Sequence, residues 1–216
     1  MLEELAKPIP SLPSNIECIL AGTTERPPEY ERFFKNGRKT FSLKWIKSNA
    51  GRALQMNAGA KASGGDFLWF VHADSSLDCN CLPRLLASIK EDGDHLHYFK
   101  LAFLSDGPKL VSFNAFFANI RADILGIPFG DQGFCLSRNL FFKLAGFDQN
   151  ALHEDHHLIW KLRHRGYALK RVNATIKTSA RKYRRKGWPY TTLLHLYMTY
   201  KYAIPNWLRL IKKKYS

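Results

Sequence analysis

Short apolar blocks separated by punctuating glycines, prolines and polar residues run along most of the chain. Residues 16–21 (IECILA), closed by Gly22-Thr23-Thr24, predict a buried strand and a turn; Lys44 to Ser48 predict a second strand, and Tyr30 to Lys35 a helical stretch between them. Asn49 is positioned as the N-cap of a helix over GRALQMNAGAKAS, ended by Gly64-Gly65, and FLWFVHAD follows as a strand apolar enough for burial on both faces. Further on, the spacing predicts a helix over Leu82 to Lys90, a strand over His97 to Leu104 and a helix over Ser112 to Leu125. Gly133 to Ser137 reads as a strand, and Asn139 to Ala145 as a helix stopped by Gly146. Asp155 to Arg165 reads as a helix capped by Gly166, and Tyr167 to Val172 as a strand. Alternating strands and helices predict an α/β fold with a mostly parallel central sheet flanked by helices.

Composition bounds this picture. A chain of 216 residues with 45% hydrophobic and 13% aromatic content is one globular domain, with room for a short appendage; it is neither disordered nor a small disulfide scaffold. Four cysteines at irregular spacing (Cys18, Cys79, Cys81, Cys135) read as reduced thiols in a cytosolic setting. The acidic, proline-broken start MLEELAKPIPSLPSN is not a secretion signal. The net charge of +15 is not spread evenly: His156 to Ser216 carries sixteen Lys/Arg and no Asp or Glu, leaving residues 1–155 at −1. That one-sided field calls for an anionic partner, whether nucleotide phosphates, nucleic acid or membrane head groups. No helix-turn-helix, zinc finger or stacking motif accompanies the charge, so nucleic acid is not favoured. The aromatic, lysine-edged stretch from 189 to 216 (with Tyr197, Tyr200, Tyr202, Trp207 and Lys212 to Lys214) is broken by His195, Lys201 and Pro205. It therefore suits a helical segment lying on a membrane surface rather than crossing one.

Four blocks carry candidate chemistry. His72, Asp74, Ser75 and Ser76 close FLWFVHADSS, beyond the end of a strand, where open sheets bind ligands. Asp74 offers a hard oxygen for Mg²⁺ or Mn²⁺ with phosphates completing the shell, although an Asp in this position is more often a turn or helix cap. Glu154 and Asp155, after His153, sit at a predicted helix start; they suit dipole-complementing caps and a general base equally. Gly130-Asp131-Gln132-Gly133 is a turn by default. In TSARKYRRKGW, five basic residues interleaved with Tyr183 and Trp188 form either a solvated loop or a phosphate clamp.

Taken in order, GRALQMNAGAKASGGDFLWFVHADS, GDQGFCLSRNLFFKLAGF, HEDHHLIWKLRHRG and TSARKYRRKGW resemble family 2 glycosyltransferases of the GT-A (nucleotide-diphospho-sugar transferase) fold. The likeness is greatest to a bacterial subgroup with a His-Ala-Asp metal motif, and it extends over about residues 16 to 210. The resemblance implies a GT-A-like domain over 1–188 followed by the basic segment 189–216. It implies metal-assisted transfer of a sugar from a nucleotide-diphosphate donor to an acceptor hydroxyl, lipid-linked or on a cell-envelope glycan, at a cytoplasmic site at the inner face of the membrane. In that frame Asp74 meets Mn²⁺ or Mg²⁺ and His72 replaces the motif's first acid. Asp155 is the base of an inverting transfer, supported by Glu154. Arg52 and Asn57 lie near the donor, Gly130, Asp131 and Gln132 face the acceptor, and Arg181 and Arg184 contact phosphate.

The chain departs from the family pattern in two places. No strand ending in Pro-x-x-Asn-Glu precedes Ile16, and residues 1–15 read as the tail of the helix that should follow it. Because that strand is central to the fold, two neighbouring edges are expected to lack a partner unless an added or swapped strand fills the gap. Ala21 also stands where the family has the acid that reads the base. The competing reading is a non-catalytic remnant that binds a membrane surface or a protein complex.

Overall fold

A computed structural model describes residues 16–28, 30 and 42–215 of the chain. The expected helix over Tyr30 to Lys35 (Tyr30 apart) and the reading of residues 1–15 fall outside these residues. Strands β1 (Glu17–Gly22) and β2 (Ser42–Lys47) pair in parallel from Glu17↔Ser42 to Gly22↔Lys47. Helix α1 (Arg52–Ala62) leads to β3 (Phe67–Phe70), β4 (Ser75–Leu77), α2 (Cys81–Glu91), β5 (Leu96–Phe103) and α3 (Val111–Leu125). A 3-10 turn (Gly130–Gln132), β6 (Phe134–Ser137), α4 (Arg138–Lys143), α5 (Glu154–His164), β7 (Leu169–Thr178), α6 (Arg181–Lys186) and α7 (Trp188–Tyr215) complete it.

The strands form two sheets, β1-β2 and β3-β6-β5-β7-β4, so β1 and β3 each end a sheet among the described residues. These are the two edges expected to lack a partner. The pairing is more mixed than the expected mostly parallel sheet: only β1–β2 and β5–β7 are parallel, while β3–β6, β5–β6 and β4–β7 are antiparallel. After α3, segment 126–133 carries the chain back again before β6 begins, so β6 runs against β5. A pattern of alternating elements assumes a single return per helix and does not reveal this.

The larger sheet is buried on both faces. Phe134 and Leu136 of β6 join Leu68, Phe141, Leu158 and Leu162 on one side. Cys135 turns to Leu85, Phe99, Val172 and Ile176 on the other, as the two-residue period of a strand requires. Small residues Ala53 and Ala60 let α1 approach the first of these clusters closely. The start of α1 is held by Gly51 (φ 138°) rather than by Asn49, and the helix ends at Ser63, before the two glycines. The basic run expected as a loop contains α6, anchored by the buried ring of Tyr183. Helix α7 is no detached appendage: Ala203 and Trp207 pack on Ile127 and Trp160. All four cysteines are free.

Candidate functional site

The strand expected over FLWFVHAD stops at Phe70, and the chain turns, with the Ser75 N–H donating to the His72 carbonyl at 3.0 Å. That turn sets His72 beside Arg52 at the start of α1, with Nη2 to Nε2 2.8 Å. Arg52 Nε lies 3.1 Å from Glu154 Oε1, so one guanidinium ties α1, the β3–β4 turn and the first residue of α5 together. Asp155 is next in line. Its Oδ2 accepts the Gly130 N–H at 2.9 Å and its Oδ1 accepts the His156 N–H at 2.9 Å. A methyl group on Gly130 would lie 3.2 Å from Arg52 and 3.4 Å from Asp155, so a glycine suits this approach. Arg52, His72, Gly130, Glu154 and Asp155, drawn from three of the sequence blocks, thus meet at one place.

Electrostatics define the states of these groups. Burial works to raise the pKa of Asp155, but the charge on His156, the Gly130 N–H, Arg52 and the His156 N–H outweigh it and hold the carboxyl below its usual range. His156 is itself pushed down to about 4 by burial, so at neutral pH it is uncharged and the backbone amides and Arg52 sustain the carboxylate. His72 is likewise pushed down to about 4, by burial first and by Arg52 second. Burial raises Asp131 to about 6 against the pull of Arg121.

Four further groups complete the surroundings, of which only Lys182 belongs to a candidate block, the basic run TSARKYRRKGW. Arg121 of α3 lies 3.4 Å from the centroid of the Phe129 ring and donates to the Ile127 carbonyl at 2.9 Å. His156 lies beside Asp155. Lys182 of α6 meets His195 of α7 at 3.0 Å, and the Tyr183 hydroxyl reaches the other ring nitrogen at 3.3 Å. Burial, and then the charge of Lys182, hold His195 down to about 4. Of the other three, Arg121 left a sequence signal, as the one cation of helix VSFNAFFANIRADIL. Nine buried side-chain polar atoms make no hydrogen bond among the described residues; four of them are here, of which Glu154 Oε1 has its ion pair with Arg52, leaving Arg121 Nη2, Asp131 Oδ1 and His156 Nδ1. Such atoms are costly unless water or a ligand satisfies them, which makes this cluster a candidate ligand site.

The remaining candidates are placed differently. Asn57 is committed to the scaffold: Nδ2 donates to the Phe147 carbonyl at 2.8 Å and Oδ1 accepts the Phe147 N–H at 3.0 Å. Gln132, fully buried, donates to the Phe99 carbonyl and accepts the Phe129 N–H. Arg181 and Arg184 are exposed on α6, where Arg181 Nε donates to Ser179 Oγ at 2.8 Å; Lys182 is the residue of that run whose charge acts on Arg52 and Asp131. Asp74 is exposed in the turn, near enough for its charge to act on His72, and accepts no hydrogen bond among the described residues. No three His, Cys, Asp or Glu side chains among the described residues converge on a cation site. One free carboxylate fits a hard cation that takes most of its remaining ligands from phosphate and water, and does not fit a cage made by protein alone. The polar cleft lined by Asp78, Arg84, Lys100, Arg171 and Thr175 shares no residue with this cluster.

The model of Glycosyl transferase family 2 matches residues 11–143, more than half of the chain. Among solved structures, Staphylococcus aureus TarS 1–349 in complex with UDP-GlcNAc is similar at 15% identity and TM-score 0.61, over 83% of this chain and 53% of that one. The mannosyltransferase PcManGT from Pyrobaculum calidifontis, in complex with GDP-Man and Mn²⁺, is similar at 15% identity and TM-score 0.56, over 74% of this chain and 47% of that one. GalNAc-T7 with UDP, GalNAc and Mn²⁺ is similar at 15% identity and TM-score 0.57, over 80% and 38%. This chain thus spans about half the length of these structures, or less. No curated protein sequence matches it.

Proposed function

Because the chain belongs to glycosyl transferase family 2 and has the α/β architecture of the GT-A fold, we propose that it transfers a sugar from a nucleotide-diphosphate donor to an acceptor hydroxyl, with inversion. The observation that carries the proposal is the buried Asp155 carboxylate, held by two backbone N–H groups and neighboured by the charges of Arg52, Arg121 and Asp131. In the reaction the acceptor hydroxyl gives its proton to Asp155 as its oxygen bonds to the anomeric carbon, and the nucleotide diphosphate departs with the electron pair of the broken bond. Asp155 stays ionised at neutral pH, so it is ready to take that proton, and its two amide donors fix its direction of approach. Glu154 holds Arg52, which directs its guanidinium at the turn carrying His72 and Asp74. Asp74 would be the protein ligand of Mn²⁺ or Mg²⁺, which when bound would supply Lewis-acid neutralisation of the diphosphate. Asp131 with Arg121, and Lys182, form the polar wall on the acceptor side, where the orphaned atoms of Arg121 and Asp131 find partners in the substrate. The acceptor is a hydroxyl on a lipid-linked or cell-envelope glycan.

The test is a thermal-shift series with UDP-, GDP- and dTDP-linked sugars, with and without Mn²⁺, on the protein and its Asp74→Ala variant. A ligand at about 100 times its Kd stabilises the fold by roughly 2.7 kcal/mol. A Mn²⁺-dependent shift with one nucleotide, lost in Asp74→Ala, is expected. A cooperative melt that no nucleotide moves refutes a working donor site in this chain.

A further inference from the structure

Two helices that flank the site bury one face and leave the other bare. In α3 the buried side is Val111, Ala115 and Ala122, whereas Phe113, Phe116, Phe117, Ile120 and Ile124 are 57%, 59%, 60%, 38% and 74% exposed. These five recur at helical spacing along one stripe that carries no charge. In α7, Thr191, Thr199 and Ala203 are buried, and Leu193, Tyr197, Tyr200, Ile204, Leu208 and Ile211 form a matching stripe, each between 49% and 66% exposed. The helices are stitched side by side: Asn114 of α3 donates to Thr192 at 3.0 Å and accepts from Trp188 Nε1 at 2.7 Å. Contiguous apolar surface of this extent is not left to water without a purpose.

We propose that α3 and α7 together seat this protein on an anionic lipid bilayer, apolar stripes inserted and basic residues on the head groups. The charge commits the surface to this occupant. The chain from His156 to Ser216 has sixteen Lys/Arg and no acid, and Lys201, Arg209, Lys212 and Lys213 stand exposed along α7. A second copy docked on this face would bring two such fields together, whereas anionic head groups neutralise the field, at about 1 kcal/mol for each basic residue near the surface. Penetration is shallow: no helix among the described residues is long and apolar enough to cross a membrane, and the inner face of α7 is bound to the body through His195, Tyr202 and Asn206. Tyr202 lies 5.4 Å from His153 and 6.0 Å from His156, ring to ring, so the helix that meets lipid on one side lines the Asp155 region on the other. The docking stands without the transferase reading; joined to it, the acceptor hydroxyl is one carried on a lipid within a helix diameter, about 10 Å, of the head groups.

The test is co-sedimentation of the full chain with vesicles of phosphatidylglycerol and phosphatidylcholine, against vesicles of phosphatidylcholine alone. Two exposed-face variants, Phe113→Ser/Phe117→Ser in α3 and Leu193→Ser/Tyr197→Ser in α7, are compared with it after their melting curves are matched to the parent's. Serine adds no charge, so a loss of binding reports the missing apolar contact. Expected is binding to anionic vesicles that falls at least tenfold in 0.5 M salt and at least tenfold in each variant, with Asp155→Asn binding as the parent does. The proposal is overturned by variants that bind undiminished, by a parent that ignores anionic vesicles or binds phosphatidylcholine as well, or by a solution dimer that the variants dissociate without any vesicle binding.

Discussion

The β1-β2 pair and the five-stranded body are built on different terms. No residue of β1 or β2 is buried; the pair is tied to α1 mainly by Gln55 donating to the Ala21 carbonyl at 2.8 Å, the Gly64 N–H to Glu17 at 3.0 Å and Lys44 to the Ala62 carbonyl at 3.3 Å. The body sheet is sealed on both faces by fully buried Leu96, Phe99, Phe134, Leu136, Leu158 and Ile176. The Asp155 cluster stands on the body, whereas Ala21, at the position where the family resemblance puts base recognition, stands on the pair. On the proposed function, donor recognition can therefore change at little cost to the fold, while the proposed base cannot move without the core.

The largest test of this contrast is Asp155→Asn, which keeps the shape and removes the base. Turnover should fall about 10²- to 10⁴-fold, measured as sugar transfer or donor hydrolysis, and the melting temperature should fall too, because the new amide NH2 faces one of the two backbone N–H groups that Asp155 accepts, a cost of about 1–3 kcal/mol. Equal turnover in the variant would place the chemistry elsewhere. Next is the core itself: Phe141→Ala should cost about 3–5 kcal/mol in denaturant unfolding, whereas Ile19→Ala in β1 should cost about 1 kcal/mol or less. Comparable losses would mean that the two sheets unfold as one unit.

Acid should act on the body through its histidines. His72, His156 and His195 each have folded values near 4, below the unfolded value of 6.5. The unfolded chain therefore binds more protons between pH 6.5 and 4, and the stability these groups contribute is lost as pH falls through that window. Asp131, raised to about 6, opposes them, because its burdened carboxylate is relieved on protonation. Three groups against one predict a falling melting temperature from pH 6.5 to 4, with His156→Gln flattening the slope. As small as the β1 substitution is Gln55→Ala: a loss of about 1 kcal/mol or less, with faster amide hydrogen exchange confined to residues 17–22 and 42–47.

Most elements were legible because their apolar periodicity is local. The split between β1 and β3 among the described residues could be foreseen from the comparison with the family pattern, but the antiparallel entry of β6 could not, since segment 126–133 has no periodic signature. Helix α6 carries five basic residues around a single buried ring, which leaves no stripe to read. At the site, Arg52, Glu154 and Asp155 were visible as charged residues at helix starts. Asn57 and Gln132 were visible only as polar residues; that both serve Phe147, Phe99 and Phe129 backbone depends on contacts up to 90 residues away. His195 and Lys182 meet across two helices whose packing no local pattern encodes.

Trp45 packs so tightly over Gly22 that a methyl group there would sit 2.2 Å from the indole. The two positions are consequently coupled in descent: a lineage that gains a side chain at 22 must swing the tryptophan aside or replace it. Across relatives of this chain, glycine and tryptophan at these sites should be inherited as a pair or exchanged as a pair.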